Sequence, residues 1–259
     1  MKRFLSLACL AAIATGCTQN TIEHQMIRPI EKAHNADAWH DTEAMAATID
    51  VNFGGKKMVD AANFIFETNG PRARMDMKNG TVVIFDGKEA YVSPASADPP
   101  GARFHVLTWP WFIASPYKLR GEAVNLSELG HHPLDGRQHR TCKMTFDPGT
   151  GDAPDDWYIL YRDLDNNRLV AQAYIVSFGK TKDAANEEPH AVWYQDYRMV
   201  NEMPIPMQWS FWNWDAGRGG LVGDPIGSTQ LSNVRFVTPK AGTFDVPDDA
   251  RKLPVPNAG

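Results

Sequence analysis

His131, His132, His139 and Cys142 put four metal-ligating or nucleophilic side chains into one short stretch. A zinc site needs three or four such groups converging on one point. Residues 138–146 read as a strand, and successive side chains on a strand point to opposite faces. His139 and Cys142 differ by an odd number, so they leave that strand on opposite sides. A site using both is not expected. Asp155 and Asp156 form an adjacent acid pair, which in a closed pocket could perform general acid–base work. Standing ahead of an aromatic strand, they read instead as part of an exposed loop. Asp163, Asp165 and Asn167 copy the opening of a calcium loop. Arg168 stands where the sharp turn needs glycine, and Tyr174 where a bidentate Glu belongs. Gly217, Gly219, Gly220 and Gly223 do not open a helix, so they lack the amide array that cradles phosphate. The sequence contains no G-x-S-x-G elbow, no H-E-x-x-H pair and no Walker loop. No catalytic residue, no metal and no cofactor is expected, and a binder is favoured over an enzyme.

Cys17 carries a different chemistry. Lys2 and Arg3 precede an apolar run over residues 4–13. A membrane span needs about 20 such residues, so the run reads as a secretory signal peptide over residues 1–16. It ends in Ala14-Thr15-Gly16-Cys17, small residues before a Cys, which resembles the bacterial lipobox. The expectation is a Cys17 acylated by palmitate-type chains. Each buried CH₂ contributes about 0.8 kcal/mol, so several chains hold a domain on a membrane. Thr18, where an Asp would resemble an inner-membrane retention signal, favours the outer membrane facing the periplasm. The chain has 3 cysteines. Cys9 leaves with the signal and Cys17 is acylated, which leaves Cys142 alone and no internal disulfide. A formal charge of −5 advertises no basic patch for nucleic acid. Oligomeric state is not legible.

These residues must be positioned by β-structure. Residues 154–178 form the organising stretch, a hairpin whose two strands flank a turn at Asp165, Asn166 and Asn167. A half-exposed strand alternates apolar with polar, but this hairpin is apolar on both faces. Tyr158 and Leu160 point one way, and Trp157, Ile159 and Tyr161 the other. On the return, Leu169, Ala171, Ala173 and Ile175 share a face. One face must meet a core helix, and the other should line an apolar space. Residues 104–119 supply its wall: Trp109, Trp111, Phe112 and Tyr117, interrupted by Pro110 and Pro116, read as a short helix or flap. The cavity candidates are therefore Trp109, Trp111, Phe112, Tyr117, Trp157, Tyr158 and Leu160. Filled core is the rival account of the same residues.

Around this lies an antiparallel meander. Residues 45–93 alternate Ile49, Val51 and Phe53 with polar neighbours, and turn at Gly54-Gly55, Asn69-Gly70, Asn79-Gly80 and Asp86-Gly87. Residues 191–200, 207–214 and 228–237 read as further strands. Residues 180–189 and 217–227 read as loops, and the tail from Pro247 as irregular. Ile22, Met26 and Ile30 recur at helical spacing, with Pro29 in a first-turn position, and Trp39 completes the packing face. Residues 17–40 are thus a tether and N-terminal helix, and residues 41–259 one β domain.

Residues 64–94, FIFETNGPRARMDMKNGTVVIFDGKEAYVSP, resemble the strand–turn–strand region of lipoprotein carriers of the LolA/LolB type. An apolar strand (Val82 to Phe85) leads through Asp86-Gly87-Lys88 to an aromatic strand ending at Pro94. The mature chain also resembles lipid-anchored envelope proteins placed near that superfamily, through Ala33-His34 before Trp39, the flap from Trp109 to Leu119, and residues 154–161. The resemblance implies an open antiparallel β half-barrel capped by helices around an apolar cavity. It implies a lipid, or an acylated protein, as the partner. The carriers' cavity arginine has no counterpart, since Arg72 and Arg74 lie past the turn. The expected function is a membrane-anchored, non-catalytic binder of lipid or lipoprotein acyl chains in the bacterial envelope. The competing classes are an envelope hydrolase acting on an apolar substrate and a structural interaction protein with a filled core.

Overall fold

The structure, a computed structural model, describes residues 21–256; the expected signal peptide and Cys17 lie outside them. After a π-helical turn (Glu23–Ile27), α1 (Arg28–His34) starts with Pro29 in its first turn, and α2 (Ala36–His40) follows a left-handed Asn35. Strands β1 (Ala44–Phe53), β2 (Lys56–Glu67), β3 (Ala73–Asp76), β4 (Val82–Phe85) and β5 (Ala90–Ser93) form the first meander. Helix α3 (Ala102–Ala114) follows. The second meander is β6 (Val124–Leu134), β7 (Arg137–Phe146), β8 (Tyr158–Arg162), β9 (Leu169–Tyr174), then the short α4 (Lys182–Asn186), β10 (His190–Val200), β11 (Met203–Asp215) and β12 (Gly220–Val237). A last strand, β13 (Arg251–Leu253), closes the chain.

All belong to one sheet of 13 strands, in the order β13-β5-β4-β3-β2-β1-β12-β11-β10-β9-β8-β7-β6. Every neighbouring pair in that order is antiparallel, from the β1–β12 seam outwards to the β6–β7 and β13–β5 edges. Tight turns make this possible. Gly54 and Gly55 have φ of 57° and 73°, as a two-residue hairpin of the favoured twist requires. The sheet curls, and α1, α2 and α3 lie in its concave side, so the architecture is the expected open half-barrel capped by helices. The main core sits there: Trp39, Phe64, Trp209 and Phe211 are all 2% exposed or less. Trp39 stacks on Tyr117 with centroids 4.0 Å apart and donates from Nε1 to the Thr68 carbonyl at 3.2 Å.

Several sequence expectations change. The tail is not irregular throughout, because residues 251–253 pair with β5. Residues 217–227 are not one loop: β12 already runs from Gly220, pairing with Asp215. Residues 180–189 hold α4, whose first turn is capped by the Thr181 side chain. The aromatic flap is a 13-residue helix that continues through Pro110. An interior proline costs a helix about 3 kcal/mol, which burial of Trp109, Phe112 and Ile113 outweighs.

The organising hairpin also differs. Tyr161 opposes Ala171 while Arg162 opposes Leu169, so Val170 is an extra residue, a β-bulge. The bulge reverses the face phase. Leu169 points into the main core, whereas Ala171 and Ala173 point outwards. Its backbone groups are satisfied from elsewhere: the Leu169 N–H donates to His34 Nε2 at 3.0 Å, and the Leu169 carbonyl accepts from the Tyr197 hydroxyl at 2.5 Å. Burial pushes His34 down to about 3, which keeps it the neutral acceptor this bond needs. The outer face of the hairpin is packed. Tyr161, Ala171, Ala173, Ala191, Leu134 and Trp214 form a second, smaller core there. Trp214 Nε1 donates to the Tyr161 hydroxyl at 2.9 Å, and Trp157 Nε1 donates to Asn186 on α4 at 2.8 Å.

Candidate ligand-binding cavity

One face of the hairpin does both jobs that the sequence reading divided between two faces. Tyr158 and Tyr174, which pair across β8 and β9, pack under α3 and also line an apolar cavity of about 400 Å³. That volume falls in the range of about 300–1,000 Å³ usual for ligand pockets. From α3 come Phe104, His105, Thr108, Trp109 and Phe112, one helical face. From the sheet come Val51 and Phe53 of β1, His190 of β10 and Phe211 of β11. Met58, 40% exposed, and the exposed Lys180 mark its rim. A smaller space of about 230 Å³ adjoins it, lined by Leu107, Trp111 and Phe146. The two share Phe104, Thr108, Asp156, Tyr158 and Phe178.

Of the residues proposed from sequence, Trp109, Phe112 and Tyr158 line the larger cavity, and Trp111 and Tyr158 the smaller one. The other three are elsewhere. Tyr117 is sandwiched between Trp39 and the edge of His34. Leu160 is fully buried among the main core. Trp157 lies on the outer face against Trp214. Arg72 and Arg74 are held on β3's side of the molecule by Glu67 and Asp76, at 2.5 and 2.7 Å, and line neither space. His139 and Cys142 do face opposite ways: Cys142 is in the main core, and His139 meets the edge of Tyr161 on the outer side. Burial pushes the Cys142 thiol up to about 12, so it is no nucleophile at neutral pH.

A buried polar network fixes the C-terminal end of α3 against the sheet. Gln172 of β9, fully buried, donates to Ser115 Oγ at 2.7 Å and to the Tyr194 hydroxyl at 2.5 Å. Tyr194 in turn donates to the Phe112 carbonyl at 2.8 Å. At the other end, Arg103 is 5% exposed and grips both oxygens of Asp152, at 2.6 and 2.9 Å, and the Leu253 carbonyl at 2.9 Å. These two clamps hold the helix at the distance from the strands that leaves the cavity open.

Asp156 is not the exposed loop residue the sequence implied. Its carboxyl lines both spaces and accepts the Ser177 N–H at 2.6 Å. Burial pushes its pKa up to about 6, against the pull of the Ser177 hydrogen bonds. The folded protein therefore binds this proton more tightly than the unfolded chain. Stability from Asp156 is fully present below about pH 4 and is lost as pH rises through about 6. Asp156→Asn, which can keep the Ser177 bond, should leave stability unchanged near pH 4 and raise it by about 2–3 kcal/mol at pH 8. Urea unfolding at the two pH values checks this; an equal effect at both would exclude a buried, ionising Asp156.

Sequence reasoning also missed His105. It is 3% exposed, lies parallel to Trp109 with centroids 5.5 Å apart, and lines the larger cavity with neither ring nitrogen hydrogen-bonded. Its signal in the sequence was present: a polar residue inside the apolar run Phe104 to Trp109.

No family model and no curated protein matches the sequence. Solved structures do match the fold. A LolA superfamily protein from Nitrosomonas europaea aligns over 83% of this chain and 97% of its own, with TM-score 0.53 and 8% identity. A domain named for outer-membrane lipoprotein sorting, from Vibrio parahaemolyticus, aligns over 83% and 95%, with TM-score 0.49 and 10% identity. A DUF1329 family protein from Desulfovibrio piger aligns over 84% and 97%, with TM-score 0.43 and 12% identity. The open antiparallel sheet curled around helices is the fold this chain shares with the LolA superfamily protein.

Proposed function

We propose that this chain binds lipid, or the acyl chains of lipoproteins, within the cavity under α3 and catalyses no reaction on them. The observation that carries this reading is the cavity itself. About 400 Å³ of aromatic and aliphatic-lined space lies inside a domain whose core is otherwise closely packed. Such a space forgoes packing contacts, a cost that an apolar occupant would offset. The carrier-type fold supports the same reading.

Thr108 tests it. This half-buried residue faces both spaces from α3 without belonging to either clamp. Wild-type protein should bind a neutral alkyl fluorophore such as pyrene-dodecane. Thr108→Phe, which fills the cavity, should weaken that binding at least tenfold while the melting temperature holds. Equal binding by both proteins would place the probe elsewhere and remove the cavity as the site.

The reading extends to place. Cys17 is proposed as the acylated N-terminus that tethers the chain to the outer membrane, facing the periplasm, where lipid and lipoproteins are at hand. Cys17→Ser should release the protein from membranes with its fold unchanged. Retention of the variant on membranes washed in high salt would refute the anchor.

A further inference from the structure

His105 and Asp156 give the cavity a chemical preference, and the inference drawn from them rests on the binding reading above. A neutral imidazole offers one donor and one acceptor. In His105 both are buried and unpartnered, on a ring 3% exposed that faces the cavity. A buried polar atom left unmatched is expensive, and such an atom in a folded protein calls for a partner that the chain does not itself supply. Nothing near the ring supplies one: it stacks on Trp109 and meets the edge of Phe104. The residue lines the space that a ligand would occupy.

The charges around the cavity limit what that ligand carries. Asp156 is the carboxyl on its wall, with one oxygen held by the Ser177 N–H, and the carboxylate next to it, Asp155, is itself paired with Lys182 at 3.6 Å. Lys180 at the rim is drawn away by Glu188 at 2.9 Å. His190 on β10 lies against Tyr174 and Phe53, and burial lowers its pKa, as it does for His105. Besides Thr108, Tyr158 and Tyr174, the polar wall is thus two uncharged imidazoles and one carboxyl with no cation paired to it. A ligand carboxylate or phosphate would meet a like charge in an apolar, poorly screened space. A pair of hydroxyl groups suits it, because one donates to the Asp156 carboxyl while the other donates to, or accepts from, a ring nitrogen of His105.

We propose that the cavity selects an uncharged, hydroxyl-bearing amphiphile, such as a monoacylglycerol, whose polar end hydrogen-bonds His105 and Asp156. The acyl part lies along Phe104, Trp109 and Phe112.

Displacement of pyrene-dodecane at pH 8 tests the assignment with hexadecane, 1-monopalmitoylglycerol, palmitic acid and hexadecylamine as competitors. On the wild type, monopalmitoylglycerol should compete at least tenfold better than palmitic acid. His105→Phe should cost monopalmitoylglycerol about tenfold and leave hexadecane unchanged. Asp156→Asn should recover palmitic acid binding by about tenfold. Equal losses of hexadecane and monopalmitoylglycerol in His105→Phe would overturn the hydrogen-bonding role and leave the lipid-binding reading intact. Palmitic acid or hexadecylamine competing best on the wild type would overturn the uncharged class. No displacement by any of them, with no probe binding, would overturn this inference and the lipid-binding reading together.

Discussion

Arg103→Met is expected to cost about 3–5 kcal/mol of unfolding free energy, because it breaks a buried ion pair by removing one partner. Arg103 lies in the first turn of α3 with its guanidinium 5% exposed. It pairs in a bidentate fork with Asp152, reaches Glu89 at 3.5 Å and binds the carbonyl of Leu253 in β13. Its loss leaves the half-buried Asp152 carboxylate, with a side chain 14% exposed, without its cation. It also frees the start of α3 and the short edge strand β13 together. The check is a urea titration at neutral pH. A fall below about 1 kcal/mol would show that the helix is held by apolar packing alone. Because Asp152 also lines the smaller space, probe binding should weaken in the same variant.

Phe112→Ala should be equally costly, about 3–5 kcal/mol. The sequence reading treated Phe112 as either cavity wall or packed core, and it is both. Its ring is 3% exposed, meets Tyr174 edge-on at 5.0 Å and contacts Trp209 and Phe211, yet one side borders the cavity. Stability falls by the full core amount. Binding of a long apolar probe changes little, since the new void is continuous with the old one. Thermal unfolding and probe titration on one preparation check both parts. A stable variant that no longer binds would overturn both parts.

Much of this architecture is legible in the residues. Alternation through Ile49, Val51 and Phe53, with the glycine turns that follow, determines an antiparallel meander. So do the short links, which leave no room for crossover helices. Trp39 was read correctly as the packing face of the N-terminal helices, and Trp109, Phe112 and Tyr158 as residues meeting in one place. These are local or periodic facts, and a chain's periodicity states them directly.

Tertiary structure alone decided the rest. The face reversal at Val170 depends on His34 and Tyr197, which lie far away in sequence and bind the bulge's exposed backbone groups. No pattern within residues 154–178 reveals it. Trp157, Leu160 and Tyr117 have the same composition and spacing as true wall residues. What separates them is the layer each meets: α4 and Trp214, the main core, or Trp39. The cavity is a distance between α3 and the concave sheet, set by the Arg103 and Gln172 clamps at the two ends of the helix. Sequence determines which face of an element is apolar. How closely another element approaches that face, and so whether the space is filled or open, is decided only when the two are packed.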